Sequence, residues 1–179
     1  MRRIATLLLA GGLAFLVHAA TLQRLELDEM TQKATGIVRG RVLASYARLH
    51  GSVIYTHYRV QVLERWKGAE AAEVDVVLPG GTANGLRQSF PGSPKLTEGG
   101  EYILFLWTGS SGLTNVMGLT QGIFDVQRGA GGEVIALRAA TTETMLDAAG
   151  RLVRDEAVRM NLQELRGRVS VSLARGASR

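Results

Sequence analysis

From Ile54 to Arg65 apolar and polar side chains take turns almost without a break, and this alternation sets the tightest limit on how the chain can fold. Ile54, Thr56, Tyr58, Val60 and Val62 share one face, and His57, Arg59, Gln61 and Arg65 share the other. Residues two apart lie on one face only in a β-strand, so the pattern argues against a helix. The same period runs from Ile37 to Tyr46. It predicts Val38, Gly40, Val42, Ala44 and Tyr46 inward, with Arg39, Arg41 and Ser45 outward. The turn-prone His50-Gly51-Ser52 lies between the two runs, which predicts an antiparallel hairpin.

Shorter runs at Glu73–Leu78, Leu86–Phe90, Tyr102–Trp107, Val116–Leu119, Ile123–Gln127 and Val134–Leu137 bring the expectation to about seven strands. Pro79-Gly80-Gly81, Phe90-Pro91-Gly92-Ser93-Pro94 and Gly129-Ala130-Gly131-Gly132 interrupt them, because proline donates nothing to a ladder and glycine weakens a strand. Turn signals at this spacing indicate a barrel or sandwich rather than βαβ units. Tyr102–Trp107 is apolar on both faces and is expected to be covered on both sides. From Thr141 the period becomes helical, with Leu146, Leu152, Val153, Val158, Leu162, Leu165, Val169 and Leu173 mostly three or four apart. A weaker helical pattern spans Leu25–Lys33. The expected fold is mostly β, an OB-like β-barrel with a C-terminal helix that covers Tyr102–Trp107 and a short N-terminal helix. Residues 20–140 are assigned to the barrel and residues 141–179 to a helical segment packing on it.

Arg2 and Arg3 precede an apolar stretch from Ile4 to Val17, and Val17-His18-Ala19-Ala20 suits a signal peptidase. Residues 1–19 are therefore expected to be a Sec export signal. The apolar stretch falls short of the roughly twenty residues needed to span a bilayer. The expected location is the periplasm or the cell exterior. The chain has no cysteine, which excludes disulfides, thiolate nucleophiles and cysteine metal sites. A formal charge of +5 falls to +3 once Arg2 and Arg3 are removed, ordinary for a domain of this size and no argument for nucleic acid.

No catalytic constellation stands out. His50 and His57 have no third ligand at zinc spacing, and His57, Arg59 and Arg65 read as a solvated strand face. There is no G-x-S-x-G elbow, and Glu98 with Glu101 and Asp155 with Glu156 read as surface charges. Pro79–Gly85 lacks the lysine of a phosphate loop. No catalytic residue, metal site or cofactor is assigned. Arg39, Arg41, His57 and Arg59 could share a basic sheet face, but an aromatic platform for bases is missing if Tyr46 and Tyr58 point inward.

The strings I-V-R-G-R-V, I-Y-T-H-Y-R-V-Q-V-L-E-R-W-K-G, L-P-G-G, F-P-G-S-P, G-E-Y-I-L-F-L and G-L-T-Q-G-I-F-D-V, between Ile37 and Val126, resemble a family of exported, uncharacterised bacterial proteins. More distantly, their order is similar to the netrin-like modules of tissue inhibitors of metalloproteases, which implies an OB-type barrel. Those inhibitors set an N-terminal cysteine on the protease's metal. This chain has none, so that chemistry does not carry over. The function expected is a non-enzymatic exported module that binds a protein or cell-envelope component through its loops. Its candidate ligand-binding residues are Gly80, Gly81, Arg87, Pro91, Gly92, Gln121 and Gly122. A hydrolase with scattered catalytic residues and a polyanion-binding barrel are the alternatives.

Overall fold

The long hairpin forms as its alternation requires, and it carries the rest of the chain. The computed structural model describes residues 21–178; the expected export signal lies outside the described residues. In chain order the elements are β1 (Thr21–Gln23), α1 (Leu27–Lys33), β2 (Gly36–His50), β3 (Val53–Lys67), β4 (Glu73–Pro79), β5 (Gly81–Ala83), β6 (Leu86–Gln88), β7 (Glu101–Thr108) and β8 (Thr114–Val116). A 3-10 turn over Leu119–Gly122 leads to β9 (Ile123–Arg128), β10 (Val134–Arg138), β11 (Thr144–Leu146), β12 (Leu152–Val153), β13 (Val158–Asn161) and α2 (Leu162–Ala177).

One sheet runs β13-β10-β9-β7-β2-β3-β4-β8, and β7 also pairs with β8. The pairings β2, β3, β4, β8 and β7 therefore return on themselves as a five-membered ring. All are antiparallel except β4 with β8, where Val76 and Val77 lie beside Thr114 and Asn115. Beyond β7 the sheet continues outward as β9, β10 and β13. A small second sheet joins β1 in parallel to β11, which also pairs with β12.

Strand β7 is where the two cores meet. Tyr102, Leu104 and Leu106 pack inside the ring with Val38, Val42, Tyr58, Val60, Val76 and Leu78. Its other face sends Ile103 and Phe105 to Met30 of α1, Phe124 and Ala136 of the outer strands, and Leu162, Leu165 and Val169 of α2. Phe105 and Ile103 are fully buried, each worth about 1.5–3 kcal/mol. The coverage stops one residue early: Trp107 is half-exposed.

Three features differ from the sequence reading. First, β2 carries a bulge: Val42 lies opposite Val60 but Ala44 lies opposite Arg59, so Leu43 is an extra residue. One unpaired residue reverses the alternation beyond it, so Ser45 turns inward and Tyr46 outward. Second, the helical pattern from Thr141 belongs largely to strands: Leu146, Leu152, Val153 and Val158 lie in β11, β12 and β13, and the helix begins at Leu162. The side chain of Asp147 accepts hydrogen bonds from the backbone N–H of Ala149 and Arg151, which folds the chain into a turn that Gly150, at φ +76, completes. Third, thirteen strands are present among the described residues rather than about seven, several only two or three residues long.

The two helices carry ordinary end signals. Asn161 caps α2, its side chain accepting from the N–H of Gln163 at 2.8 Å. Helix α1 has Asp28 and Glu29 in its first turn and Lys33 in its last, matching the helix dipole. Among the described residues no helix is long and apolar enough to cross a membrane.

With no disulfide possible, ion pairs fix several crossings. Arg138 on β10 grips Asp155 in bidentate fashion at 2.7 and 2.9 Å, and the N–H of Thr141 donates to the same carboxylate. The Asp155 side chain is almost wholly buried. Burial pushes its carboxyl up, but the hydrogen bonds from Arg138 and Thr141 and the charge of Arg138 outweigh it, leaving it below the usual carboxylate range. Burial likewise pushes the Glu64 carboxyl up, but hydrogen bonds from Trp66 and Arg39 and the charges of Arg39 and Arg166 outweigh it, leaving it below the usual carboxylate range. A carboxyl depressed in the folded state contributes stability that is whole above its unfolded pKa and vanishes as pH falls through the folded value. Urea denaturation should thus show stability dropping below about pH 4. At neutral pH Arg138→Ala, which strands a buried carboxylate, should cost about 3–5 kcal/mol.

Candidate functional site

The fold gathers Gly80, Gly81 and Arg87 around one cleft of about 410 Å³. Inward side chains of β2, β3 and β4 form its floor: Ser45, Thr56, Tyr58 and Leu78. The β5–β6 hairpin and the segment from Ser89 to Leu96 form its walls. Gly80 and Gly81 have φ values of +107 and +135, open to glycine alone. A Cβ on Gly81 would stand 2.8 Å from Thr56 Oγ1 and 3.0 Å from the Cβ of Ala47. The two glycines thus let β5 cross close above the hairpin.

Three polar side chains of the cleft, Thr56, Gln88 and Ser93, are engaged inside the protein. Thr56 Oγ1 donates to the carbonyl of Gly80 at 2.7 Å, and Ser93 Oγ to that of Pro79 at 2.6 Å. Gln88 accepts from the N–H of Ile54 and donates to the carbonyl of Ser52, tying β6 to the hairpin tip. Arg87 and Lys95 differ. Both are exposed, and neither forms an ion pair among the described residues. No carboxylate lines the cleft; Glu98 stands beside it, held by the N–H and hydroxyl of Ser45. Burial pushes the Tyr58 phenol up, against a hydrogen bond from the Leu96 backbone, so the floor stays neutral. The cleft is therefore positive in character and rimmed by the partly exposed Phe90.

Pro91 and Gly92 sit on the loop between Phe90 and Ser93 but outside the lining. Gly92 rests on Glu143, where a Cβ would come within 2.7 Å of Glu143 Cγ. Gln121 and Gly122 do not join the cleft. Gln121 is buried, its Oε1 accepting from the N–H of Leu25 at 2.8 Å and its Nε2 donating to the carbonyl of Gln23 at 3.0 Å. It pins the segment after β1 to the 3-10 turn. Gly122 has no room for a side chain, since a Cβ would lie 2.6 Å from the carbonyl oxygen of Met117. Both residues build the scaffold. The sequence reading missed Ser45, Thr56 and Lys95; for Thr56 the signal was its place on the inward face of β3.

A second cluster lies on the outside of the sheet. His57 points outward yet is only 5% exposed, because the ring of Tyr46 covers it. This corrects the reading of His57 as solvated. Its Nδ1–H donates to Asp75 Oδ2 at 2.7 Å, while Nε2 is buried without a hydrogen-bond partner. A base oriented by a carboxylate resembles two members of a hydrolytic triad, but no hydroxyl reaches Nε2 to serve as the third. Among the described residues no group of three or more histidine, aspartate or glutamate side chains is placed to hold a metal.

Comparison of the chain with protein-family models, with curated proteins and with solved structures finds no match. The assignment of function therefore rests on the geometry of these two clusters. Replacing Gln121 by alanine should leave two partly buried backbone groups, the N–H of Leu25 and the carbonyl of Gln23, without their partner at a cost of about 1 kcal/mol, read as a melting temperature lower by a few degrees in a thermal scan.

Proposed function

We propose that this chain is an exported binding module whose cleft receives an acidic segment of another protein. The observation that carries the reading is the pairing of Arg87 and Lys95 in a cleft without a lining carboxylate. Two uncompensated cations attract a negatively charged partner, and Phe90 at the rim offers an apolar contact next to the charge. The ring of β2, β3, β4, β8 and β7, with its single parallel contact between β4 and β8, supports reading the scaffold as an OB-type barrel. The n-region and apolar run of residues 1–19 support export.

A hydrolase is the second reading, favoured by the His57–Asp75 contact. It ranks lower because a nucleophile at Nε2 is missing. If the binding reading holds, ester turnover by the purified domain should be no faster than by His57→Ala.

A fluorescein-labelled hexaglutamate peptide should bind saturably to the domain, and more weakly as salt rises, since exposed charges are screened. Joint reversal by Arg87→Glu and Lys95→Glu should abolish that binding while the circular dichroism spectrum stays unchanged. A peptide that fails to bind, or that binds the doubly reversed variant equally well, removes the cleft as the site.

A further inference from the structure

The outward face of the β2–β3 hairpin carries an aromatic shelf that the cleft does not use. The rings of Tyr46 and His57 are stacked with centroids 4.8 Å apart and planes 10° from parallel. The lower ring is buried, while Tyr46 above it is 50% exposed. One face of the phenol ring thus rests on the imidazole, and the other is turned to water. The shelf is fixed from below. Asp75 holds Nδ1 at 2.7 Å, and the buried Nε2 has no partner toward which the ring would turn instead. An aromatic ring held flat at the surface, its support locked by a hydrogen bond, is pre-organised to receive another flat face.

The surrounding charges narrow what that face belongs to. Arg48, the next outward residue of β2, is exposed and lies opposite Tyr55, which meets His50 edge-on at 6.5 Å. On the other side Arg59 pairs loosely with Glu73 at 3.5 Å, and Asp75 is half-exposed. Arg48 and Arg59 are thus balanced by Glu73 and Asp75. A polyanion such as single-stranded nucleic acid needs a net positive track beside its stacking platforms, and the two carboxylates oppose it. A neutral molecule with an apolar ring face and a rim of hydroxyls meets both demands. Its C–H face lies on Tyr46, and its hydroxyls find donors in Arg48 and acceptors in Asp75 and Glu73.

We infer that the Tyr46 shelf is a binding site for a neutral saccharide chain, on the opposite face of the sheet from the cleft and independent of it. Tyr46 is the contact residue; His57 and Asp75 are positioning residues that act through it. Asp75 has a second part, offering its free oxygen to the sugar.

The probe is chitotetraose, a neutral β-1,4-linked tetramer, titrated into the domain and followed by NMR shifts of the Tyr46 and Tyr55 regions. Tyr46→Ala should weaken binding about tenfold or more, the loss expected of one stacked ring. Tyr46→Phe should stay within about twofold, since the ring face is kept. His57→Ala should weaken binding with an unchanged circular dichroism spectrum, and Arg87→Glu with Lys95→Glu should leave it intact, separating this site from the cleft. Failure of chitotetraose, cellotetraose and maltotetraose alike to bind would overturn the inference, as would equal affinity in Tyr46→Ala. Tighter, salt-sensitive binding of an oligothymidylate that Tyr46→Ala removes would also overturn it and give the shelf to nucleic acid.

Discussion

Burial of β7 on both faces is the constraint on which the molecule rests. Its even-numbered residues fill the inside of the ring, and Ile103 and Phe105 hold the layer beneath α1 and α2. The same strand closes the ring through β8 and passes the sheet on to β9. A strand with three neighbours and two cores cannot shift register without disturbing all of them. The ring, the helices and the outer strands therefore act as one packed unit rather than as a β part with a helical attachment.

Around that unit, polar groups do the work that disulfides do in many small domains. Arg39 bridges Glu64 and Glu101 across β2, β3 and β7, and Arg138 with Asp155 fastens the chain that crosses back toward β13. Gln121 performs the same task with uncharged groups, satisfying one donor and one acceptor of the N-terminal segment. A buried group with all its partners costs little, and one deprived of them costs much. This asymmetry makes such residues look functional in a sequence when their role is structural.

Much of the fold was legible from residue order. The alternation along Ile54–Val62 gave β3, the double apolar face gave β7, and the stripe Leu162, Leu165, Val169 gave the buried side of α2. What periodicity does not carry is the identity of distant neighbours. The parallel contact of β4 with β8 joins segments more than thirty residues apart, and nothing local announces it. Apolar residues at three- and four-residue steps after Thr141 imitate a helix because a tight turn at Asp147–Gly150 happens to space two short strands that way. Of the candidate site, the glycines and Arg87 were visible as a loop cluster. Gln121 and Gly122 were not separable from them, since burial is a property of the assembled chain. The His57–Asp75 pair was hidden because its partners come from adjacent strands, eighteen positions apart.

The extra residue at Leu43 decides what each side of the hairpin displays from there to its tip. By reversing the alternation it sends Ser45 and Ala47 toward the cleft and leaves Tyr46 and Arg48 on the outer surface. Removing one codon there would swap the two sets in a single step, seating a phenol and a guanidinium in the interior and small side chains in water. The number of residues at this position thus matters more to the two faces than which residue stands there, and both inherit their chemistry from it.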